Sequence, residues 1–328
     1  TPPRLTYPSP VSDASDSREP LLLVVGPTAS GKSRLGLEVA EAVRGEIISA
    51  DAFAVYRGLD IGTDKPNQEA RRRVRHHLID IVDPTQRFSA GAFVEAATEA
   101  IRKIRERGNT PVVVGGTHFW IRALLIGLFP APPRSREIFD SLAAEWDRDP
   151  ASVFSRLASV DPTAAASIGS RDRQRILRAL EVFEATGIPI SRHWEEHRRS
   201  RRFDPILVAP ERPRPELYAK IDTRVDVMFA TGLREEVRRI LASGVTSSAH
   251  ALKAIGYRQL VQFHDGVCDL ESAIRDTKAA SRRLAKRQLT WLRGMTEGEL
   301  HWIPPAESGG TKEAVRLWSR HVRGRGQR

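Results

Sequence analysis

The segment that most constrains the fold is a glycine-containing loop between a strand-like and a helix-like segment. The loop Gly26–Ser33 (GPTASGKS) follows the apolar run 21–25 and leads into the helical pattern 34–40. In this setting a G-x-x-x-x-G-K-[ST] motif predicts a phosphate-binding loop, whose backbone N–H groups converge on an anion. Lys32 adds a positive charge, and the hydroxyl of Ser33 is suited to bind Mg²⁺. The motif therefore predicts that the chain binds a di- or triphosphate.

Short apolar segments alternate with helical patterns over residues 21 to 128. Strands are expected at 21–25, 47–50 and 111–114, and helices at 33–43 and 90–107. This alternation is typical of an α/β fold with a parallel sheet, which binds ligands at the carboxyl ends of its strands. We therefore predict a P-loop NTPase-like parallel sheet flanked by helices. The loop 26–33, Asp51 and Thr117 are expected at one edge of it.

The alternation stops at a proline-rich stretch, residues 129–133. The next segment is basic and helical, with helices expected at 135–147, 151–159, 162–168, 171–186 and 190–202. A strand is expected at 205–209, followed by helices at 218–241, 251–263 and 270–292. We predict a disordered tail (1–19), a catalytic core (20–130 and 204–300), an inserted all-helical domain (131–203) and a basic C-terminal extension (301–328).

The charge of the chain bears on its partners. There are 52 Lys and Arg against 41 Asp and Glu, a formal net charge of +11. This excess favours nucleic acid or another polyanion, although solvated basic faces without a partner would give the same balance. No apolar run has the length of a membrane span, and a single cysteine fits a reducing compartment. We therefore expect a cytoplasmic monomer that has no stable protein partner and does not enter membranes.

Acidic residues beside the predicted strands are candidates for chemistry. Asp51 follows the second strand and is suited to act as a general base or a metal ligand, or to cap a turn. The run 78–84 (LIDIVDP) is similar to the Mg²⁺-binding strand of P-loop ATPases, but Asp80 and Asp83 also suit a turn. These residues alone leave a P-loop kinase or ATPase as one alternative.

Six motifs, in this order along the chain, resemble those of bacterial tRNA dimethylallyltransferases, also called tRNA isopentenyltransferases. They are 26–33, Asp51 with 56–66, 115–117, 172–181, 255–259 and 286–293. The resemblance extends from about residue 21 to 294. It implies transfer of the dimethylallyl group of dimethylallyl diphosphate to the exocyclic amine of the adenosine immediately 3′ of the tRNA anticodon. Diphosphate is then the leaving group, and Mg²⁺ the expected cofactor.

The resemblance also implies roles for single residues. Asp51 would accept the proton of the adenine amine, Thr117 would contact the bridging oxygen of the diphosphate, and Arg224 would clamp the diphosphate. The residues expected to bind the diphosphate are Gly26, Thr28, Ala29, Ser30, Gly31, Lys32 and Ser33, and Ser33 is the expected ligand of the metal.

The same motifs imply a surface for the tRNA anticodon loop, from which the target adenosine would be flipped into the site. The residues expected to bind tRNA are Asp51, Ala52, Phe53, Ala54, Gln174, Arg175, Ile176, Leu177, Arg178, Gly256, Tyr257, Arg258, Gln259, Lys286, Arg287, Gln288, Trp291 and Arg293. Arginine and lysine at helical spacing in these motifs suit the phosphates of a single-stranded loop.

Two stretches depart from the family pattern. Ala52, Phe53 and Ala54 stand where many members have Ser followed by Met-Gln, which removes an amide that could recognise a base. The run 118–120 (HFW) is bulkier than usual and is expected to reshape the prenyl pocket. Besides the kinase, the remaining alternatives are an adenylate isopentenyltransferase acting on free AMP, ADP or ATP, and an RNA-binding module.

Overall fold

A computed structural model describes residues 18–128, 132, 135–197 and 202–324. The predicted tail up to residue 17, parts of both ends of the predicted insertion, and residues 325–328 lie outside these ranges. Strands in the described part are β1 (Pro20–Val25), β2 (Gly45–Ala50), β3 (His76–His77), β4 (Thr110–Gly115), β5 (Asp204–Pro210) and β6 (Glu299–Ile303). They form one sheet of order β3-β2-β4-β1-β5-β6 with parallel neighbours, which confirms the predicted fold class.

The helices are α1 (Lys32–Ala42), α2 (Gln68–Arg73), α3 (Ala90–Glu106), α4 (His118–Ile126), α5 (Arg136–Arg148), α6 (Pro150–Val160), α7 (Pro162–Ser167), α8 (Arg173–Thr186), α9 (Ile190–His197), α10 (Arg214–Ala230), α11 (Leu233–Ala242), α12 (Tyr257–His264), α13 (Leu270–Arg293) and α14 (Gly310–Arg323). Two apolar clusters cover the two faces of the sheet. One joins β1 to α3 and α4 through Phe93 and Trp120, and the other packs Leu35 of α1 and Leu317 of α14. Burial on both faces explains why β1 is apolar throughout.

The sheet register brings three strand ends together. Val25 of β1 and Ala50 of β2 both pair with Gly115 of β4. The segments that follow these strands are the loop 26–33, the turn at Asp51 and Thr117. Parallel pairing places all three at the carboxyl edge, where ligands of such sheets bind.

Helices α5 to α9 share a small apolar core of their own. Leu142, Leu157, Ile176 and Leu180 are fully buried in it. Asp149 and Asp161 each cap the next helix, since their carboxylates accept hydrogen bonds from backbone N–H groups in the first turn. The basic segment is therefore helical as predicted, up to His197.

Two long helices expected from the sequence are each broken. The segment 218–241 forms α10 and α11, separated at Gly232, whose φ of 107° is left-handed. The segment 251–263 has a short 3₁₀ turn at Ala251–Lys253, and α12 begins only after Gly256, with φ of 94°. Glycine adopts such angles without steric cost, so each of these two residues turns the chain just before the next helix begins, where the apolar pattern alone would continue a single helix.

The chain after residue 300 belongs to the sheet and its helix layer, unlike the extension expected there. β6 pairs with β5 from Ile206↔Glu299 to Pro210↔Ile303. Helix α14 contacts α1, where the hydroxyl of Thr311 donates to Glu38 at 2.6 Å. The sequence did not predict β6, because a five-residue edge strand with partly exposed residues has only a weak apolar pattern.

The run 78–84 forms turns. Leu78 and Asp80 have positive φ, and in this run only Val82 forms an isolated bridge, with Tyr56. Asp80 pairs with Lys65 and Arg71, and Asp83 accepts hydrogen bonds from Thr85. Both carboxylates therefore have structural partners, which favours the turn interpretation. No helix of the described residues combines the length and apolarity needed to span a membrane.

Candidate active site

The phosphate-binding loop joins β1 to α1 at the carboxyl edge of the sheet. Gly31, at φ 93°, directs the chain into α1, which begins at Lys32. Gly116, at the end of β4, approaches the loop so closely that an added Cβ would lie 3.1 Å from the Gly26 carbonyl and 2.6 Å from Gln288. The Thr28 and Ser30 N–H groups are engaged within the protein, with Gln288 and the Pro27 carbonyl, and the first turn of α1 offers its N–H groups to an anion.

Lys32 lies in an environment that disfavours its charge when no anion is bound. Its Nζ donates to the Pro27 carbonyl at 3.3 Å. Burial, reinforced by the positive charge of Arg224, lowers the pKa of Lys32 to about 8, and Asp51 and Asp64 only partly offset this. A bound diphosphate would supply the missing negative charge and raise this pKa again.

This electrostatic balance predicts a pH-dependent affinity for inorganic pyrophosphate. Lys32 is protonated below pH 8 and becomes neutral above it, so we expect the affinity to be highest below pH 8. As the pH rises through 8 it should fall by up to about tenfold per unit. Isothermal titration calorimetry between pH 7 and 9.5 measures this change. Lys32→Arg is the control, because guanidinium stays charged and the titration of the ligand itself is common to both proteins. Equal pH profiles for the two proteins would contradict the prediction.

Asp51 and Thr117 meet where β2 and β4 end. Asp51 Oδ1 accepts hydrogen bonds from the N–H groups of Phe53 at 2.9 Å and Ala54 at 3.2 Å. Thr117 Oγ1 accepts from the Ala52 N–H at 3.0 Å, and the Thr117 N–H donates to Ala50. Asp51 thus caps a turn, and its Oδ2 has no hydrogen-bond partner among the described residues. One oxygen orients the carboxylate, and the other is available to a substrate.

Arg224 reaches the loop from α10. Its Nη2 donates to Thr28 Oγ1, its Nη1 pairs with Asp64 at 3.1 Å, and its buried Nε has no partner among the described residues. Asp51, Thr117, Lys32 and Arg224 all line one cavity of about 940 Å³. The three residues predicted to be catalytic, Asp51, Thr117 and Arg224, therefore share one cavity, although Asp51 and Arg224 are 173 positions apart in the chain.

Aromatic residues line another part of the same cavity. The rings of His118 and Trp291 stack at 4.3 Å with an angle of 2° between them. Burial, with a smaller effect of Lys32, lowers the pKa of His118 to about 4, so this imidazole is neutral at pH 7. Phe119 also lines the cavity and is 62% exposed. Trp120 instead packs on Phe93 in the core at 4.6 Å, so only part of the bulky run 118–120 reaches the cavity.

Burial divides the residues expected to bind tRNA. The exposed members are Gln174, Arg175, Arg258, Lys286, Arg287 and Arg293. Asp51, Ala52, Phe53, Arg178 and Trp291 are partly buried, and the first three and Trp291 line the cavity. Arg178 pairs with the buried Glu181.

A third set of these residues is buried, and their contact with RNA stays a prediction. Ile176 and Leu177 lie in the core of the helical segment. Ala54, Tyr257, Gln259 and Gln288 are at most 6% exposed, although Ala54 and Gln288 line the cavity. Gly256 is buried as well. Each of these residues belongs to a motif that also contains exposed residues. The motif alone does not tell which of its side chains are exposed at the surface and which are buried beneath it.

Gln288 has a structural role that the sequence analysis did not anticipate. Its Oε1 accepts from the Thr28 N–H at 2.8 Å, and its Nε2 donates to the Gly116 carbonyl at 2.8 Å. Gln288 thus ties the phosphate-binding loop to the end of β4 from α13. Gln259 similarly accepts from the Gly256 N–H at 2.9 Å and caps α12. The buried Glu236 of α11 accepts hydrogen bonds from the N–H groups of Asp60 and Ile61, and no sequence motif predicted this contact.

Known proteins match this chain over most of its length. A model of the IPP transferase family matches residues 54–295. The tRNA dimethylallyltransferase 1 of Trichlorobacter lovleyi is 43% identical over 293 residues, which cover 89% of this chain and 95% of that protein. The tRNA dimethylallyltransferase of Geobacter metallireducens is 45% identical over 288 residues, covering 86% and 92%.

Solved structures agree with this assignment. The full-length tRNA isopentenylpyrophosphate transferase of Bacillus halodurans has a TM-score of 0.70 and 32% identity, covering 94% of this chain and 99% of that chain. A eukaryotic dimethylallyltransferase acting on tRNA has a TM-score of 0.81 at 24% identity, covering 93% and 80%, and shows that the fold is shared. With a family match over more than half of its length and relatives above 40% identity, the chain belongs to the IPP transferase family.

Proposed function

We propose that this protein transfers the dimethylallyl group of dimethylallyl diphosphate to the exocyclic amine of the adenosine immediately 3′ of a tRNA anticodon. The observation that carries the proposal is the single cavity that contains Lys32, Arg224, Thr117 and Asp51. It combines cationic groups for a diphosphate with a carboxylate for an amine. Relatives named tRNA dimethylallyltransferase match 86 to 89% of this chain, which supports the proposal.

In the proposed reaction the amine nitrogen attacks the allylic carbon, and the bond from that carbon to the diphosphate oxygen breaks. Negative charge then grows on the leaving diphosphate, where Lys32, Arg224 and the loop N–H groups stabilise it. Thr117 lines the same cavity, and its hydroxyl is suited to donate to the bridging oxygen. Asp51 Oδ2 accepts the proton of the amine. An amine conjugated with adenine is a weak nucleophile, so alignment of the two substrates contributes as much as the base.

Mg²⁺ fits this site as a partner of the diphosphate. The described residues contain no group of three or more His, Cys, Asp or Glu side chains able to hold a metal. Ser33 is exposed in the first turn of α1 and offers a hydroxyl beside the anion site. Phosphate oxygens with one hydroxyl and waters form an oxygen ligand set that Mg²⁺ prefers. When bound, the ion supplies positive charge that stabilises the leaving group.

The exposed cations favour tRNA over a free nucleotide as the acceptor. Arg175 on α8 and Lys286 and Arg293 on α13 are exposed and do not line the cavity, and the exposed Arg287 lies at its wall. A mononucleotide inside the cavity would leave most of this surface unused, whereas an anticodon loop has the phosphates to engage it. An ATPase is disfavoured because Asp80 and Asp83 have structural partners.

The test is to incubate the full chain with Mg²⁺, dimethylallyl diphosphate and either unmodified tRNA or AMP. The mass of the adenosine is then followed. We expect one dimethylallyl group on tRNA and none on AMP. Transfer to AMP would support the adenylate enzyme, and ATP hydrolysis without transfer would support the ATPase. Either result would overturn the proposal.

The tRNA surface predicts a change in salt dependence. Arg175→Ala and Lys286→Ala are each expected to weaken tRNA binding and to reduce the slope of log K against log salt by about one. The physical reason is that each cation releases about one counterion from the phosphates. Filter binding from 50 to about 300 mM salt measures the slope. Arg316→Ala is the matched control, because this α14 arginine is exposed and paired with Glu313. Unchanged slopes for both test variants would mean that these residues are only solvated.

A further inference from the structure

A buried carboxylate outside the catalytic set holds one wall of the cavity. Glu236, on α11, is 2% exposed. Its two oxygens accept hydrogen bonds from the backbone N–H groups of Asp60 at 3.1 Å and Ile61 at 3.0 Å, with Gly62 at 3.5 Å. These three N–H groups belong to consecutive residues, 176 to 174 positions away in the chain. Successive N–H groups of this kind form a concave anion site, and here the anion is the side chain of the protein itself.

Tyr257 completes the partners of this carboxylate. Its hydroxyl donates to Glu236 Oε1 and accepts from the Gly62 N–H at 3.2 Å. Burial and the negative charge of Glu236 raise the pKa of Tyr257, so the hydroxyl keeps its proton as a donor. A buried carboxylate is costly unless its hydrogen bonds are made, and here each oxygen has at least two donors.

The loop held by Glu236 has little freedom to move. A Cβ added to Gly62 would lie 2.4 Å from the Tyr257 ring and 2.8 Å from Leu233. At the other end of the loop, the buried Nζ of Lys65 donates to the Tyr56 carbonyl at 2.6 Å and pairs with Asp60 at 2.8 Å. Contacts from both sides therefore fix residues 60–65.

This loop presents Asp64 to the diphosphate region. Asp64 pairs with Arg224 Nη1 at 3.1 Å, while Arg224 Nη2 donates to Thr28 of the phosphate-binding loop. Asp64 also raises the pKa of Lys32 by its charge. A continuous set of contacts thus runs from Glu236 through the loop and Asp64 to Arg224.

We infer that Glu236 is a positioning residue for the diphosphate: its carboxylate, seated on the N–H groups of residues 60–62, holds Asp64 where it orients Arg224. The inference rests on the proposed function only in taking the ligand of Arg224 to be a diphosphate. Glu236 touches no substrate and acts through the loop. We expect its removal to affect the diphosphate more than the tRNA, because most of the exposed residues expected to bind tRNA lie on α8 and α13, and its partner Tyr257 is buried.

The experiment compares Glu236→Gln with Glu235→Gln in the full chain. Glu235 is the exposed neighbour on the same helix. Gln keeps the shape of Glu236 but directs an NH₂ group toward backbone N–H groups, so the loop must shift. We expect Glu236→Gln to weaken inorganic pyrophosphate binding by about tenfold and to raise KM for dimethylallyl diphosphate similarly, with the Kd for tRNA within about twofold of the original. Glu235→Gln should match the unmodified protein.

A double variant tests whether Glu236 acts on Arg224 through Asp64. In an Asp64→Ala background, Glu236→Gln should change pyrophosphate affinity by less than about twofold, because the link to Arg224 is already absent. Tyr257→Phe keeps the carboxylate and removes one of its donors. It should weaken pyrophosphate binding by about threefold, and it decides the question if Glu236→Gln does not fold.

A lower Tm with unchanged pyrophosphate affinity in the folded variants would show a purely structural role and overturn the inference. An equal loss of pyrophosphate affinity with and without Asp64 would overturn it as well. Because the readout is pyrophosphate binding, failure of the inference is distinguishable from failure of the proposed function. If the proposed function fails, the unmodified protein itself does not transfer a prenyl group to tRNA.

Discussion

Asp51→Asn is expected to lower kcat for transfer to tRNA by about a hundredfold to ten-thousandfold, the range that a positioned general base contributes. The amide keeps an oxygen that can accept from the Phe53 and Ala54 N–H groups, so the turn is retained. It loses the ability to take the proton of the amine. The affinity for tRNA should stay within about twofold, because Asp51 acts on one base and many phosphate contacts remain. Single-turnover transfer with saturating tRNA measures the chemical step.

The control for this variant is Asp83→Asn. Asp83 makes the same kind of turn, accepting from the Thr85 N–H at 3.0 Å, but it does not line the cavity. A general effect of neutralising a turn aspartate would appear in both variants, and a loss of base catalysis only at Asp51. A fall in kcat of less than about tenfold in Asp51→Asn would show that Asp51 is not the base.

Lys32→Met is expected to reduce kcat/KM for dimethylallyl diphosphate by about a hundredfold to a thousandfold. Methionine fills a similar volume, so the loss isolates the charge that would meet the leaving diphosphate. The effect is large because the site is partly desolvated, as the lowered pKa of Lys32 indicates. Pyrophosphate binding should weaken in parallel, and tRNA binding should be little changed.

The matched control is Lys103→Met on α3, where the ammonium pairs with Glu99 at the surface. This variant should have normal kinetics. If Lys32→Met lost tRNA affinity and kept its affinity for pyrophosphate, Lys32 would belong to the RNA surface, and the assignment of the phosphate-binding loop to the donor would be wrong.

Local patterns were sufficient to predict the layout of the catalytic edge. Strong strand patterns at 21–25, 47–50 and 111–114 predicted the parallel core, and the loop 26–33 predicted the anion site. The positions of Asp51 and Thr117 at the same edge were then predicted because parallel strands end at one edge of a sheet. Arg224 depended on resemblance to the family, since nothing in its own helix distinguishes it from other surface arginines.

The broken helices and the C-terminal strand were missed for a different reason. Apolar periodicity continues through Gly232 and Gly256, and only the packed structure selects the positive φ angles that precede the start of a new helix there. β6 is short and becomes a strand because β5 offers a free edge. In both cases tertiary contacts outweigh a weak local preference.

By itself the sequence determined the α/β class, the position of the predicted phosphate-binding loop and the chemistry available to Asp51 and Lys32, because these depend on short segments with strong local signals. Only the tertiary structure decided which motif residues face solvent and which are buried, as for Arg175 beside Ile176. It alone identified Gln288 and Glu236 as the residues that hold the two loops of the site. Their roles consist of hydrogen bonds to backbone groups more than 170 residues away, and such contacts leave no pattern in the chain.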